Sequence, residues 1–209
     1  MNQLVRHFSV VCVLSGVSIG PASAAPLFVD GQSDIFLAGQ VSIPSFGGGA
    51  GLLPPSFDVL AGQTLTIIAT GTISCCSGSF PSGPDGTTAL GTPKHIDAYG
   101  NVGAYDNGAH DPFALVGVYL GPSLTGMSPF FVGSSFSGLV PAGATKLYLG
   151  LPDAFDFSGS PGYYADNTGG FDVAITATAV PEPETYAMML AGLGLLGLAA
   201  RRRKQEQAA

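Results

Sequence analysis

From Ala25 to Val180 the chain is cut every few residues by glycine, proline, asparagine or aspartate, and no stretch between the cuts repeats its apolar side chains at helical spacing. What remains is a set of short β-rich runs: Phe28-Val29, Ile35–Ile43, Phe57–Val59, Thr64–Thr72, Ala114–Leu120, Phe130–Val132, Lys146–Gly150 and Phe171–Ala177. The last alternates cleanly, with Phe171, Val173 and Ile175 on one face and Asp172, Ala174 and Thr176 on the other. Asp58–Thr64 reads as strand, turn, strand, with Gly62 free to take a positive φ. Gly (31) and Pro (16) make up 47 of 209 residues, a share at which disorder has to be weighed, but 46% hydrophobic content is enough to build a core. Roughly seven or eight strands with frequent turns predict an all-β body, a single antiparallel β-sandwich of jelly-roll type. Two segments are long for plain connectors, 75–111 and 152–170, and loops of that length tend to be functional.

Charge narrows the function. Residues 25–180 hold eleven Asp, no Glu and only Lys94 and Lys146 as cations, a balance of −9. A body of this sign cannot neutralise a phosphate backbone, so nucleic-acid binding is excluded. An acidic, lysine-poor body suits an extracellular protein that holds a hard cation through carboxylate oxygens.

Both ends read as addresses. Arg6 and His7 precede an apolar run, Phe8–Ile19, and then Pro21-Ala22-Ser23-Ala24-Ala25, the layout of a secretory signal peptide over 1–24 that passes the chain to the secretion translocon. At the other end Val180-Pro181-Glu182-Pro183-Glu184 is followed by sixteen uncharged residues, Thr185–Ala200, and then Arg201, Arg202, Arg203 and Lys204. As a helix that run measures about 24 Å, short of the roughly 30 Å hydrocarbon core. Tyr186 and snorkelling arginines make up the difference, predicting a transmembrane helix over 185–200 with a basic stop at 201–204 on the cytoplasmic side. Pro181-Glu182-Pro183, the apolar segment with Ala191-Gly192-Leu193-Gly194-Leu195-Leu196-Gly197 and the arginine cluster together resemble the PEP-CTERM sorting signal, here over 180–204. The resemblance implies an exosortase as partner, a cut near Pro181–Pro183, and a transient inner-membrane anchor. The product then goes to the cell surface or extracellular matrix of a Gram-negative bacterium that makes exopolysaccharide.

Catalytic constellations are scarce in the body, 25–179. Two histidines, His95 and His110, lie outside the expected signal peptide, and no G-x-S-x-G elbow, HExxH or phosphate-binding loop is present. Cys75 and Cys76 have no histidine beside them to complete a zinc site, so they are read as a strained vicinal disulfide, an interchain pair or reduced thiols. The expected protein is not an enzyme. The Asp- and Asn-bearing loops are better suited to Ca²⁺: Asp153 follows the 146–150 strand, and Asp166-Asn167 precede the last strand. Alone, Asp-Asn-x-Gly is also an ordinary Asx-turn.

Four segments, in order, resemble the calcium-dependent galactophilic lectins of the PA-IL type, which are small β-sandwiches. They are Val59-x-Ala61-Gly62-Gln63-Thr64-Leu65-Thr66-Ile67-x-Ala69-x-Gly71, His110-Asp111-x-Phe113-Ala114-Leu115-Val116, Leu147-Tyr148-Leu149-x-x-x-Asp153, and Asp166-Asn167-Thr168-Gly169-Gly170-Phe171-Asp172-Val173-x-Ile175. The resemblance implies a galactose-binding-like sandwich and Ca²⁺ held by Asp153, Asp166 and Asn167, with a carbonyl ligand near Cys75. Glycan contacts would fall to Tyr105, Asp106, Asp153 and Asp166. The chain departs from the family in a longer 153–166 loop and in lacking its sugar-contacting His and Gln; Asn101–Asn107 stands there instead. The expected function is non-catalytic, Ca²⁺-assisted binding of carbohydrate such as exopolysaccharide. The alternatives are a purely structural matrix protein and an Asp-dependent enzyme.

Overall fold

The structure, a computed structural model, describes residues 26–90, 95–106, 108, 112–178 and 183–206. The expected signal peptide, His110, Asp111, Pro181 and Glu182 lie outside the described residues. In chain order the strands are β1 (Leu27–Asp30), β2 (Ser56–Asp58), β3 (Thr64–Cys75), β4 (Phe80–Ser82), β5 (His95–Ile96), β6 (Tyr105–Asp106), β7 (Val116–Leu120), β8 (Phe130–Phe131), β9 (Ser135–Leu139), β10 (Lys146–Gly150) and β11 (Thr168–Thr178). A helix, α1 (Pro183–Glu206), follows.

All pairings between named strands are antiparallel. The larger sheet runs β1-β11-β3, and the far edge of β3 is shared: its first half pairs with β9 and its last residues with β4. β3 and β11 match along their length, from Thr64↔Thr178 to Ser74↔Thr168. The second sheet runs β2-β10-β7-β8, and β5 and β6 form a separate ribbon. The core between the sheets follows the alternation in the sequence. Leu65, Ile67 and Ala69 of β3 and Phe171, Val173 and Ile175 of β11 point in, against Leu147 and Leu149 of β10. The expected antiparallel sandwich is present, and Gly62 takes φ +83° in the turn before β3.

Every residue of β7 is buried, because the second sheet is covered on both faces. Its outer face packs Val116, Val118 and Leu120 under Ile35, Phe36, Ile96, Val102 and Tyr105, a second apolar cluster. This corrects the strand expected at Ile35–Ile43. Ile35–Leu37 is a single 3-10 turn, and Asp34 Oδ1 accepts from Phe36 N at 2.8 Å to start it. Ile35, Phe36 and Leu37 are all fully buried, and the capped turn packs them against the outer face of the sheet without a strand partner of their own.

The helix expected over 185–200 forms within α1, and its side chains from Ala187 onward are exposed. The expected membrane crossing is not supported: among the described residues no helix is long and apolar enough to span a bilayer. The uncharged run ends at Arg201, which limits its length, and Gly192, Gly194 and Gly197 lower its hydropathy.

Candidate functional site

The end of β10 carries the site. Gly150 lets the chain at 33–35 lie directly alongside: a Cβ at 150 would stand 2.6 Å from Ser33 O. Leu151 N donates to Ser33 O at 2.8 Å and Ile35 N donates to Leu151 O at 3.2 Å. Asp34 is thereby brought beside the 151–153 segment. Gly150→Ala is expected to push these strands apart at a cost of about 1–3 kcal/mol, measurable as a lowered urea midpoint with an unchanged m-value.

Tyr164 ties the next turn to the same place. Its hydroxyl donates to Leu151 O at 2.8 Å and accepts from Asp153 N at 2.9 Å, and its ring is fully buried. Asp153 is 4% exposed. Its Oδ1 accepts from Ala154 N at 2.8 Å, and its Oδ2 accepts from Asn167 Nδ2 at 2.9 Å. A carboxylate accepts only, so it turns the Asn167 amide nitrogen toward itself and the carbonyl oxygen away. Asn167 Oδ1 is then buried with no hydrogen-bond partner among the described residues.

Burial pushes the Asp153 carboxyl well above the usual carboxylate range, and the Asp166 and Asp34 charges push it further, against the hydrogen bonds from Asn167 and Ala154. Asp34 is raised to about 7, chiefly by burial, while Phe36 N and the Tyr164 hydroxyl act the other way. The Tyr164 proton goes to Leu151 O, so Asp34 Oδ2 is also buried without a partner among the described residues. Two buried acceptors of this cluster, Asp34 Oδ2 and Asn167 Oδ1, thus lack a donor among the described residues.

Above this cluster opens a cleft of about 490 Å³. Asp153 and the exposed Asp166 lie on its wall, with Cys75 and Cys76 at the end of β3. Phe155 and Tyr163 face each other at its rim, ring centroids 5.2 Å apart, and are 67% and 41% exposed. Among the described residues five non-glycine residues have positive φ, and four of them line this cleft: Cys76, Asp156, Phe157 and Tyr163. The fifth, Phe113, packs its ring edge-on to Phe157 at 5.7 Å. Left-handed backbone at side-chain-bearing residues costs about 1–3 kcal/mol each and gathers where function holds it in place.

The structure brings Asp153, Asp166 and Asn167 together, as the sequence leads one to expect. Tyr105 and Asp106 stand apart from them. Tyr105 is buried in the second cluster, and exposed Asp106 accepts through Oδ1 from His95 Nδ1 at 2.7 Å on the β5–β6 ribbon; neither lines the cleft. Asp34, Phe155 and Cys76 belong to the site but were not singled out from sequence as site residues. Asp34 shows locally only as a cap before an apolar run, and nothing in its neighbourhood announces Tyr164. Among the described residues no three His, Cys, Asp or Glu side chains are grouped closely enough to hold a metal. A cation here would therefore rest on Asp153, Asp166 and the Asn167 carbonyl oxygen. The orphaned Asn167 Oδ1 and the desolvated Asp153 carboxyl are the features such an ion would satisfy.

Residues 179–204 match the protein-family profile of the PEP-CTERM protein-sorting motif. The motif implies an exosortase as the processing partner, with export and sorting to the cell surface or beyond. No curated protein matches the chain. Among solved structures the chain is similar to the EclA N-terminal domain, a PllA-like lectin, at 22% identity and a TM-score of 0.41, over 74% of this chain and 97% of that one.

Proposed function

We propose that the sandwich is a non-catalytic, Ca²⁺-assisted carbohydrate-binding module of an exported, exosortase-processed protein, with exopolysaccharide as the natural class of ligand. The observation that carries this reading is the buried Asn167 Oδ1, without a partner among the described residues, whose amide nitrogen bonds the Asp153 carboxyl on the wall of a cleft that two exposed aromatic rings also line. Asp153, Asp166 and Asn167 would supply oxygens to a hard cation, which takes carboxylate and amide oxygens and completes its shell with carbonyls, water or ligand hydroxyls. Sugar hydroxyls are suitable ligands for the open positions. Phe155 and Tyr163 offer apolar faces to the C–H side of a sugar ring, and the cleft volume lies within the range of small-ligand sites. Both Asp153 oxygens are already engaged by Ala154 N and Asn167 Nδ2, an arrangement for holding rather than for proton transfer.

Calorimetric titration of CaCl2 into the purified protein tests the cation. Saturable binding is expected in the parent, weakened at least about tenfold (1.4 kcal/mol) in Asp166→Ala and Asn167→Ala. Asp166 is exposed, so Asp166→Ala separates loss of binding from loss of fold. Retention on a glycan array that EDTA and Tyr163→Ala both abolish supports the sugar site. Cation binding with no glycan retention would leave a matrix protein whose loops the ion pins, and no heat of binding would end the reading.

A further inference from the structure

Two cysteines stand side by side on the cleft wall. Cys75 ends β3 with its side chain buried, Cys76 begins the next turn exposed, and both are free thiols. The two residues line the same cleft, one peptide bond apart. Cys76 sits at φ 56°, and the turn that holds it there is closed twice by Ser79. Ser79 N donates to Cys75 O at 3.1 Å, and Ser79 Oγ donates to Cys76 O at 2.9 Å. The third cysteine, Cys12, lies in the expected signal peptide. An exported chain meets oxidising conditions in which thiols pair.

We propose that Cys75 and Cys76 are a modification site, closing reversibly into a vicinal disulfide on the cleft wall when the chain meets a disulfide oxidant. The assignment stands on the placement of the sulfurs and does not depend on what the cleft binds. Exposure sets the order of events. Cys76 releases its proton to solvent and its thiolate attacks one sulfur of the oxidant, a small-molecule or protein disulfide, expelling the first thiolate and leaving a mixed disulfide. Cys75 then loses its proton and its sulfur attacks Cys76 Sγ, expelling the second thiolate. The chain gives up two protons and two electrons, and the oxidant takes them up and leaves as two thiols. Adjacent Cα atoms are about 3.8 Å apart across a trans peptide, shorter than most disulfides span, so the ring is strained and readily reduced. Closure pins the turn that bears Cys76 and replaces two thiols on the cleft wall by a rigid S–S bond.

The test uses the full chain, exported and purified without reductant, then equilibrated with oxidised glutathione and alkylated. The expected product is a monomer whose Cys75–Cys76 peptide is lighter by two hydrogens and takes no alkyl group until a mild reductant is added, after which it takes two. In Cys75→Ser, the same treatment is expected to stop at a glutathione adduct on Cys76. Two alkylatable thiols at equilibrium, a lasting adduct on Cys76 of the parent chain, or a dimer linked through Cys76 would each overturn the proposal.

Discussion

Tyr164→Ala is expected to destabilise the domain by about 3–5 kcal/mol, as other fully buried aromatic truncations do. The ring packs in the main core, and the hydroxyl is the one group that joins Leu151 O to Asp153 N. Tyr164→Phe isolates the second part: the ring stays, Asp153 N loses its acceptor and Leu151 O keeps only the bond from Ile35 N, for about 1–3 kcal/mol. Urea unfolding of the three proteins separates the two contributions. If alanine cost no more than phenylalanine, the ring would contribute nothing and the hydroxyl alone would hold the turn. Because the same turn carries Asp166 and Asn167, Tyr164→Ala is also expected to weaken any ligand of the cleft.

Stability is expected to fall as the pH rises from about 4 to about 7, and Asp34 is the main cause. Its folded carboxyl holds its proton up to about 7, against 3.8 for an aspartate side chain in the open chain. Between those values the folded state keeps a proton that the unfolded chain has released, so each step up in pH favours unfolding. The stabilisation is present in full below the unfolded value and lost as the pH passes the folded one. The whole span is on the order of 4 kcal/mol. Asp153 is shifted in the same direction by its own burial and steepens the fall. Asp34→Asn keeps an oxygen to accept from Phe36 N and carries no charge. Its stability is expected to vary less over this range and to exceed that of the parent at pH 8. Equal slopes for the two proteins in a pH series of thermal melts would overturn the assignment.

Much of the frame was legible because it is written in local alternation. Thr64–Cys75 and Thr168–Thr178 show their inward residues at every second position, and the two strands pair as that pattern requires. Ile35–Ile43 was misread because a short apolar run followed by Gly39 has no period that tells a strand from a turn. β9, Ser-Phe-Ser-Gly-Leu, was missed for the opposite reason: its composition is that of a loop, and it is a strand only because β3 offers it a free edge. In the candidate site, Asp153, Asp166 and Asn167 were readable as neighbours from their order along the chain. The four left-handed residues of the cleft wall were not, since local sequence marks positive φ reliably only at glycine.

The sorting motif, the acidic body and the antiparallel sandwich are written in the chain itself, because charge, composition and period-two burial are properties of neighbouring residues. Folding is what buries Asp34 within reach of Tyr164 and Asp153, leaves Asn167 Oδ1 without a donor among the described residues, and sends Tyr105 into a second core rather than the cleft. Each of these depends on segments far apart in the chain coming together once water is excluded. Burial and partnership of a polar group are set by that meeting and have no local signature.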